Sequence, residues 1–229
     1  MLYDFNYMIF MIPAFILMML TSWYVKSAYS KWSRVPARSQ MTGLQAAQRL
    51  ISAGGLFGVK VELVAGNLTD NYDPRNKVLH LSHGVSETAS VASLAIAAHE
   101  LGHAMQDSDG YLPLRFRAAL VPMVNIGSYL GWILILAGLF LNYTNLAWVG
   151  VIAFASGAVF ALATLPVELN ASNRARKLLT DSGLINNSEE MKGVSKVLNA
   201  AALTYVAALV TALLQLLYFV NLVGGRRRS

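Results

Sequence analysis

The sequence predicts a mainly α-helical integral membrane protein with four transmembrane helices and one small α+β unit outside the bilayer. Of its 229 residues, 55% are hydrophobic and only 13% are charged, about half of the charged fraction that is usual in soluble domains. Three runs of 21, 50 and 29 residues lack charge altogether, at positions 5–25, 118–167 and 197–225. A transmembrane helix needs about 20 apolar residues, so these runs accommodate one, two and one spans. The composition excludes disorder, collagen and a nucleic-acid-binding domain.

The first uncharged run is predicted to be an uncleaved membrane anchor. A secretory signal peptide carries basic residues before its apolar core. Here the basic residues follow the core, beginning with Lys26, and the N-terminus carries only Asp4. The anchor is therefore predicted to leave the N-terminus outside the cell.

The 50-residue run is predicted to fold as a hairpin of two spans over residues 118–141 and 146–165. Polar, turn-prone residues interrupt it at Asn142–Asn145, and such residues mark loops. A last span is predicted over residues 200–223. Arg226–Arg228 follow it and are expected to contact lipid phosphate at the membrane surface.

Four spans place residues 26–117 and 166–196 on one face of the membrane. That face holds 15 of the 18 lysine and arginine residues, and the positive-inside rule predicts that it is cytoplasmic. The expected domain organisation is an anchor (1–25), an extramembrane unit (26–117), a helical hairpin (118–165), a juxtamembrane segment (166–199) and a last span with a basic tail (200–229).

The extramembrane unit is predicted to begin with a helix over residues 43–53. Thr42 and Gln45 have the spacing of a capping box, and Gly54 and Gly55 supply a stop. Alternating apolar residues over 59–63 predict a strand.

A turn is predicted at residues 71–74, which read Asn-Tyr-Asp-Pro. Residues 77–82 are predicted to form a second strand, and a helix is predicted to start at Ser86 or Thr88 and to end near Gln106. The order helix, strand, strand, helix predicts a small α+β unit.

That last helix carries His99-Glu100-Leu101-Gly102-His103, an HExxH motif. Residues four apart share one helix face, so His99 and His103 are able to bind one metal ion. The chain contains no cysteine, so His, Asp or Glu must complete the site. Imidazole ligands suit Zn²⁺, whose catalytic sites keep one position for a water of lowered pKa. Glu100 is then the candidate general base.

The third ligand has to come from elsewhere in the chain. Asp107 continues the row of His99 and His103, and three side chains in one row do not form three corners of a tetrahedron. Glu168, at the end of the third predicted span and on the predicted face of the motif, is the better candidate. Asp107 is expected to be either a solvated residue at the helix end or a partner of a ligand.

Four blocks resemble the YugP-like family of bacterial membrane zinc metallopeptidases, which are distant relatives of the HtpX-type proteases. The blocks SVASLAIAAHELGHAMQ, NYDPRNKVLHLS, LPVELNASNRARKLL and VLNAAALTYVAAL lie between Met41 and Leu209. The resemblance implies a zincin-like, gluzincin-type endopeptidase in the bacterial plasma membrane. It implies one zinc ion on His99, His103 and Glu168, Glu100 as general base, and polypeptide substrates in a lipid environment.

The sequence departs from the HtpX-type pattern at Ser172, where those relatives have an aspartate beside the metal ligands. A hydroxyl still accepts an N–H from a ligand histidine, but it orients the ring less strongly than a carboxylate does. Asn170 and Asp107 are alternative partners.

Two further features keep alternatives open. His80 and His83 lie three apart on a predicted strand, point to opposite faces and are expected to be surface residues. That strand is either an ordinary strand or an edge strand that pairs with an extended substrate. Candidates for the oxyanion donor are Tyr72, His80, His83, Arg174 and Tyr205.

Two other functions compete with a juxtamembrane protease. A site-2-type intramembrane protease needs its motif within a span, but only eight apolar residues, Val91–Ala98, precede His99. A zinc-bound scaffold or chaperone-like protein has no use for Glu100, and structural zinc is usually closed by four protein ligands.

Overall fold

The computed structural model describes residues 5–225 of the chain. The described chain is mostly helical and contains one small sheet. Its elements are α1 (Phe5–Trp32), α2 (Gly43–Ala53), β1 (Lys60–Val64), β2 (Asn71–Asp73), β3 (Val78–Ser82), α3 (His83–Ser86), α4 (Val91–Ser108), α5 (Leu112–Phe140), α6 (Thr144–Asp181) and α7 (Ser188–Gly225).

The helices α1, α5, α6 and α7 are each long and apolar enough to cross a membrane. The prediction of four helices able to span a membrane is confirmed as regards their length and composition, and α5 and α6 are joined by a short turn at the predicted hairpin. α6 and α7 each have 38 residues, so both continue well beyond the predicted spans. Two predictions concern residues outside the described part of the chain: the orientation of the N-terminus, which used Asp4, and the lipid contact of Arg226–Arg228.

The contacts between residues divide the chain into two compact units. The helical unit contains the described residues up to Ser22, with residues 115–166 and 204–225. Its core holds Trp132, Phe154 and Phe219, and the ring of Phe219 meets the other two edge-on at 4.9 and 5.0 Å. Large apolar side chains point outward, including Phe15 at 70% and Ile152 at 71% exposure. Such a surface suits lipid and not water.

The second unit, residues 23–114 and 167–203, contains the sheet. β3 is the central strand, parallel to β1 and antiparallel to β2. The possibility that β3 is an edge strand is therefore wrong, and its ordinary interpretation is confirmed. The side chains of Leu79 and Leu81 on β3 are fully buried in the core of this unit.

Two local predictions in this unit need correction. Residues 71–73 form the strand β2, and the turn comes immediately after them. Polar Asn71 and Asp73 hide the strand from any apolar alternation, and its pairing of Tyr72 with Leu79 comes from β3. The motif helix begins later than predicted, because Ser90 is its N-cap whereas Ser86 ends α3.

Candidate metal centre

The helix α4 holds the two histidines of the motif side by side. Its first turn is capped by the Ser90 hydroxyl, which accepts the backbone N–H of Ser93 at 3.1 Å. His99 and His103 lie one turn apart, and their ring centroids are separated by 4.9 Å. Both side chains are mostly buried, at 13% exposure.

The carboxylate of Glu168 on α6 completes a cluster with these histidines. Its Oε2 lies 3.3 Å from His99 Nε2 and 3.4 Å from His103 Nε2. One ligand atom from each of the three residues lies within 4.8 Å of the others. Glu168 is only 2% exposed, so its carboxylate is held in the protein interior next to the histidines.

Gly102 explains how α4 and α6 come close enough to form this cluster. A Cβ added at Gly102 would lie 2.5 Å from the carbonyl oxygen of Ala171, closer than real side chains approach a backbone. The glycine therefore sits against the backbone of α6 and places the motif helix next to Glu168. The glycine of HELGH thus has a packing role in this chain.

The spacing of the cluster suits a tetrahedral zinc ion. Zinc bonds of about 2.0–2.2 Å to nitrogen and oxygen separate neighbouring ligand atoms by about 3.3–3.6 Å. The two distances from the Glu168 oxygen, 3.3 and 3.4 Å, fall in this range. Two imidazoles and one carboxylate also match the donor set of catalytic zinc, which leaves a fourth position for a non-protein ligand.

A fixed hydrogen-bond chain determines which nitrogen of His103 faces Glu168. Gln106, fully buried, donates through Nε2 to the Val167 carbonyl at 2.8 Å and to Asn170 Oδ1 at 2.9 Å. Its Oε1 therefore lies beside His103 Nδ1, at 3.0 Å, and accepts the N–H. In the neutral ring this leaves the lone pair of Nε2 directed at the cluster, as a metal ligand requires.

The chain of donors continues from Asn170 to the surface. The Arg174 Nε donates to Asn170 Oδ1 at 2.8 Å, and the Arg174 guanidinium pairs with the carboxylate of Asp109. Because arginine has only donors, it fixes the oxygen of Asn170 toward Gln106. Among the described contacts, neither Asn170 nor Asp107 bonds a histidine directly. Asn170 contacts His103 only through Gln106, and Asp107 contacts Tyr72.

The partner of His103 is Gln106, a residue that the sequence reasoning missed. The available signal was position, since Gln106 lies three residues after His103, within reach of the same helix face. His99 has the partner that the comparison with the HtpX-type pattern suggested, because the Ser172 hydroxyl lies 3.3 Å from His99 Nδ1. A hydroxyl is able to donate or accept, so Ser172 does not fix the tautomer of His99 as Gln106 fixes that of His103.

Glu100 lies beside the cluster without being part of it. Its Oε2 accepts the backbone N–H of Tyr72 on β2 at 3.1 Å. Burial raises the pKa of Glu100 above its ordinary value, although the charges of His99 and His103 oppose that rise. For His103, burial alone lowers the pKa, but the hydrogen bond to Glu168 and the Glu100 charge outweigh it and raise the pKa overall.

The oxyanion candidates in this unit all have partners of their own. The Tyr72 hydroxyl donates to Asp107 Oδ2 at 3.0 Å, and burial and this hydrogen bond raise the pKa of Tyr72. His80 lies 3.8 Å from Glu62, and His83 lies 2.9 Å from Glu87. Among these candidates, Tyr72 also contacts Glu100, through its backbone N–H. Tyr205 belongs to the helical unit.

Comparisons with known proteins agree with the motifs. A family model described as "Putative neutral zinc metallopeptidase" matches residues 7–224. The "Putative membrane protease YugP" of Bacillus subtilis (strain 168) is 45% identical over 203 residues, which cover 88% of this chain and 90% of that protein. No solved structure matches the chain. The chain therefore belongs to the YugP-like family of zinc metallopeptidases.

Proposed function

We propose that this chain is a membrane-embedded zinc endopeptidase that hydrolyses peptide bonds of membrane proteins or of polypeptides near the bilayer. The convergence of His99, His103 and Glu168 around one point, with Glu100 beside them, supports this proposal most strongly. One zinc ion held by these three residues would supply Lewis-acid activation of water and of the scissile carbonyl.

Glu100 serves as the general base in this proposal. Its carboxylate takes the proton of the attacking water and passes it to the leaving amine. The Tyr72 N–H holds one carboxylate oxygen and so limits the orientations of the side chain. A pKa raised by burial brings Glu100 closer to the range in which a group both accepts and returns a proton near neutral pH.

The outer edge of β2, where the Tyr72 N–H bonds Glu100, is the proposed place for the substrate backbone. β2 pairs with β3 on one side only, and its Tyr72 N–H points to Glu100. An extended polypeptide that added a strand at this edge would lie next to the general base. This assigns to β2 the edge-strand role that had been considered for β3.

The proposal also includes a cytoplasmic site and the five segments predicted from the sequence. The charge distribution supports the orientation, since 15 of the 18 basic residues belong to the segments that carry the site. α4 is not among the described helices that are long and apolar enough to cross a membrane. This favours a juxtamembrane site over a site-2-type intramembrane protease, and the placement of Glu100 favours an enzyme over a scaffold.

Metal removal tests the proposal directly. The purified full chain in detergent is expected to contain about one zinc per molecule and to cleave an unfolded polypeptide. Chelation should abolish cleavage, and added Zn²⁺ should restore it, because the proposed chemistry depends on the metal. Zinc content is measured by elemental analysis and cleavage by the appearance of new peptide termini. Cleavage that survives complete zinc removal would contradict the proposed function.

Gln106 and Ser172 are expected to contribute unequally to zinc binding. Gln106→Leu should weaken zinc affinity by about 10–100-fold, the usual cost of losing a partner of a ligand histidine. Ser172→Ala should cost less than about tenfold, because its hydroxyl contact is long and does not set a tautomer. Affinities are measured by competition with a chromophoric chelator.

Leu79→Ala is the matched control for these variants. It truncates a fully buried side chain of the same unit that is not one of the candidate ligands. It should lower the thermal unfolding midpoint and leave zinc affinity unchanged. A Gln106→Leu protein that binds zinc as tightly as the wild type would show that the hydrogen-bond chain does not prepare His103.

A further inference from the structure

A cleft of about 450 Å³ lies between α1 and the first turns of α7, on residues that the metal centre does not use. Its volume is within the usual range for small-molecule sites. Its wall combines apolar and cationic side chains. The lining residues that matter here are Tyr24, Met191, Lys192, Ser195, Lys196 and Asn199.

Two lysines without acidic partners stand at this cleft. Lys192 and Lys196 lie one helical turn apart on α7, and both are exposed. Within residues 5–225, neither forms an ion pair with a carboxylate. No acidic residue belongs to the lining, so the two positive charges are available to a ligand.

A third cation, Arg176, bonds residues that line the cleft. Arg176 on α6 donates to Ser195 Oγ at 3.3 Å and to Asn199 Oδ1 at 2.5 Å, and both acceptors line the cleft. Its other described partner is the amide oxygen of Asn173, at 2.8 Å. All three acceptors are neutral, although the guanidinium is only partly exposed. Among the described residues, two lysines therefore line the cleft, a third cation contacts its wall, and no acidic residue lines it.

The positions of these residues along the chain place the cleft where apolar sequence ends. Tyr24 is the next-to-last residue of the first uncharged run, and Lys196 immediately precedes the last one. Tyrosine and basic residues at the ends of membrane-spanning stretches lie at the level of the lipid headgroups. A ligand at this level has both an apolar and an anionic part.

We propose that this cleft binds the headgroup of an anionic phospholipid such as phosphatidylglycerol. Lys192 and Lys196 contact the phosphate, and Tyr24 and Met191 contact the glycerol and the first carbons of the acyl chains. Basic pockets beside membrane-spanning helices bind anionic headgroups by this combination of charge and apolar contact. The site does not require zinc, so it stands or falls independently of the proposed protease activity.

The site has a structural link to the metal centre through α6. Glu168, Ser172 and Arg176 follow one another at intervals of four residues and so lie on one face of that helix. Arg176 orders Ser195 and Asn199 at the cleft, whereas Glu168 faces the histidines two turns earlier. The cleft and the third candidate ligand are therefore connected through one face of α6.

The test compares lipids on the full chain purified in detergent. Phosphatidylglycerol should raise the thermal unfolding midpoint more than phosphatidylcholine does, because a ligand that binds only the folded state stabilises it. Native mass spectrometry should show phosphatidylglycerol retained on the wild type. The variant Lys192→Gln/Lys196→Gln should bind it about 30-fold more weakly, since each lysine near an anionic surface contributes about a factor of five.

The control is Lys60→Gln/Lys177→Gln, which removes the same charge at two exposed lysines outside the cleft. It should respond to phosphatidylglycerol like the wild type. Equal stabilisation by phosphatidylcholine, or loss of the response in this control, would overturn the site. Equal stabilisation by inorganic phosphate alone would assign the cleft to a soluble anion and also overturn the proposal.

Discussion

The Glu100→Gln variant is expected to lose about 10²–10⁴-fold in peptide hydrolysis, the usual contribution of a general base, while it retains its zinc. Glu100 is not a member of the cluster of ligand atoms, so the substitution leaves all three candidate ligands in place. The glutamine oxygen is still able to accept the Tyr72 N–H that Glu100 accepts at 3.1 Å. The variant thus removes the base with little change in structure.

Zinc content by elemental analysis and cleavage rate at saturating substrate, measured on one preparation, decide this prediction. Glu62→Gln is the matched control, because it makes the same chemical change at an exposed carboxylate on β1. Its rate and zinc content should equal those of the wild type. Full cleavage by Glu100→Gln would eliminate Glu100 as the base, whereas loss of zinc would show that Glu100 takes part in metal binding.

Elements defined by neighbouring residues were predictable from the sequence. The capping box of Thr42 and Gln45 forms as expected, with both reciprocal hydrogen bonds, and α2 has the predicted bounds. The hairpin between α5 and α6 was predictable because turn-prone residues interrupt a long apolar run. The two histidines share a face of α4 because the helical period alone places them there.

Features that depend on distant packing were not predictable in the same way. β2 has three residues, two of them polar, and only its pairing with β3 makes it a strand. The role of Gln106 depends on Val167 and Asn170, more than 60 positions away. Glu190 follows two asparagines, a serine and another glutamate in the sequence, yet it is buried and accepts the backbone N–H of Arg38 at 2.8 Å. In each case the local sequence is compatible with more than one environment, and only contacts with distant residues decide between them.

Glu168 is intermediate, because its choice combined an argument about geometry with a family resemblance. Helical spacing excluded Asp107 as a third corner, and the structure gives Asp107 a different partner, the Tyr72 hydroxyl. The approach of α6 to α4 at Gly102 then brings Glu168 to the histidines. Glu168 was therefore a candidate from the sequence, but the packing of α6 against α4 that places it was not predictable. Its role as a ligand needs a direct test.

Glu168→Ala is expected to weaken zinc binding more than the loss of a residue that only hydrogen-bonds a metal ligand, which costs about 10–100-fold. The substitution leaves two imidazoles, which form only two corners of the tetrahedron, and removes a carboxylate oxygen that lies within 3.4 Å of both histidines. Because cleavage depends on the metal in the proposed mechanism, activity at limiting zinc should fall in parallel. Excess zinc should restore part of the activity, since Glu100 remains.

A loss of zinc must be separated from a loss of fold, because Glu168 is 2% exposed and its removal leaves a cavity. Glu190→Ala is the matched control, since Glu190 is also a buried carboxylate of this unit, at 5% exposure. Its oxygens accept the backbone N–H of Arg38 and the side-chain N–H of Asn187, and in the described hydrogen bonds they do not contact the histidines. Both variants should unfold at lower temperature than the wild type, but only Glu168→Ala should lose zinc affinity in chelator competition. Unchanged affinity in a folded Glu168→Ala protein would require a different third ligand, and an equal loss in Glu190→Ala would attribute the effect to the fold and not to the site.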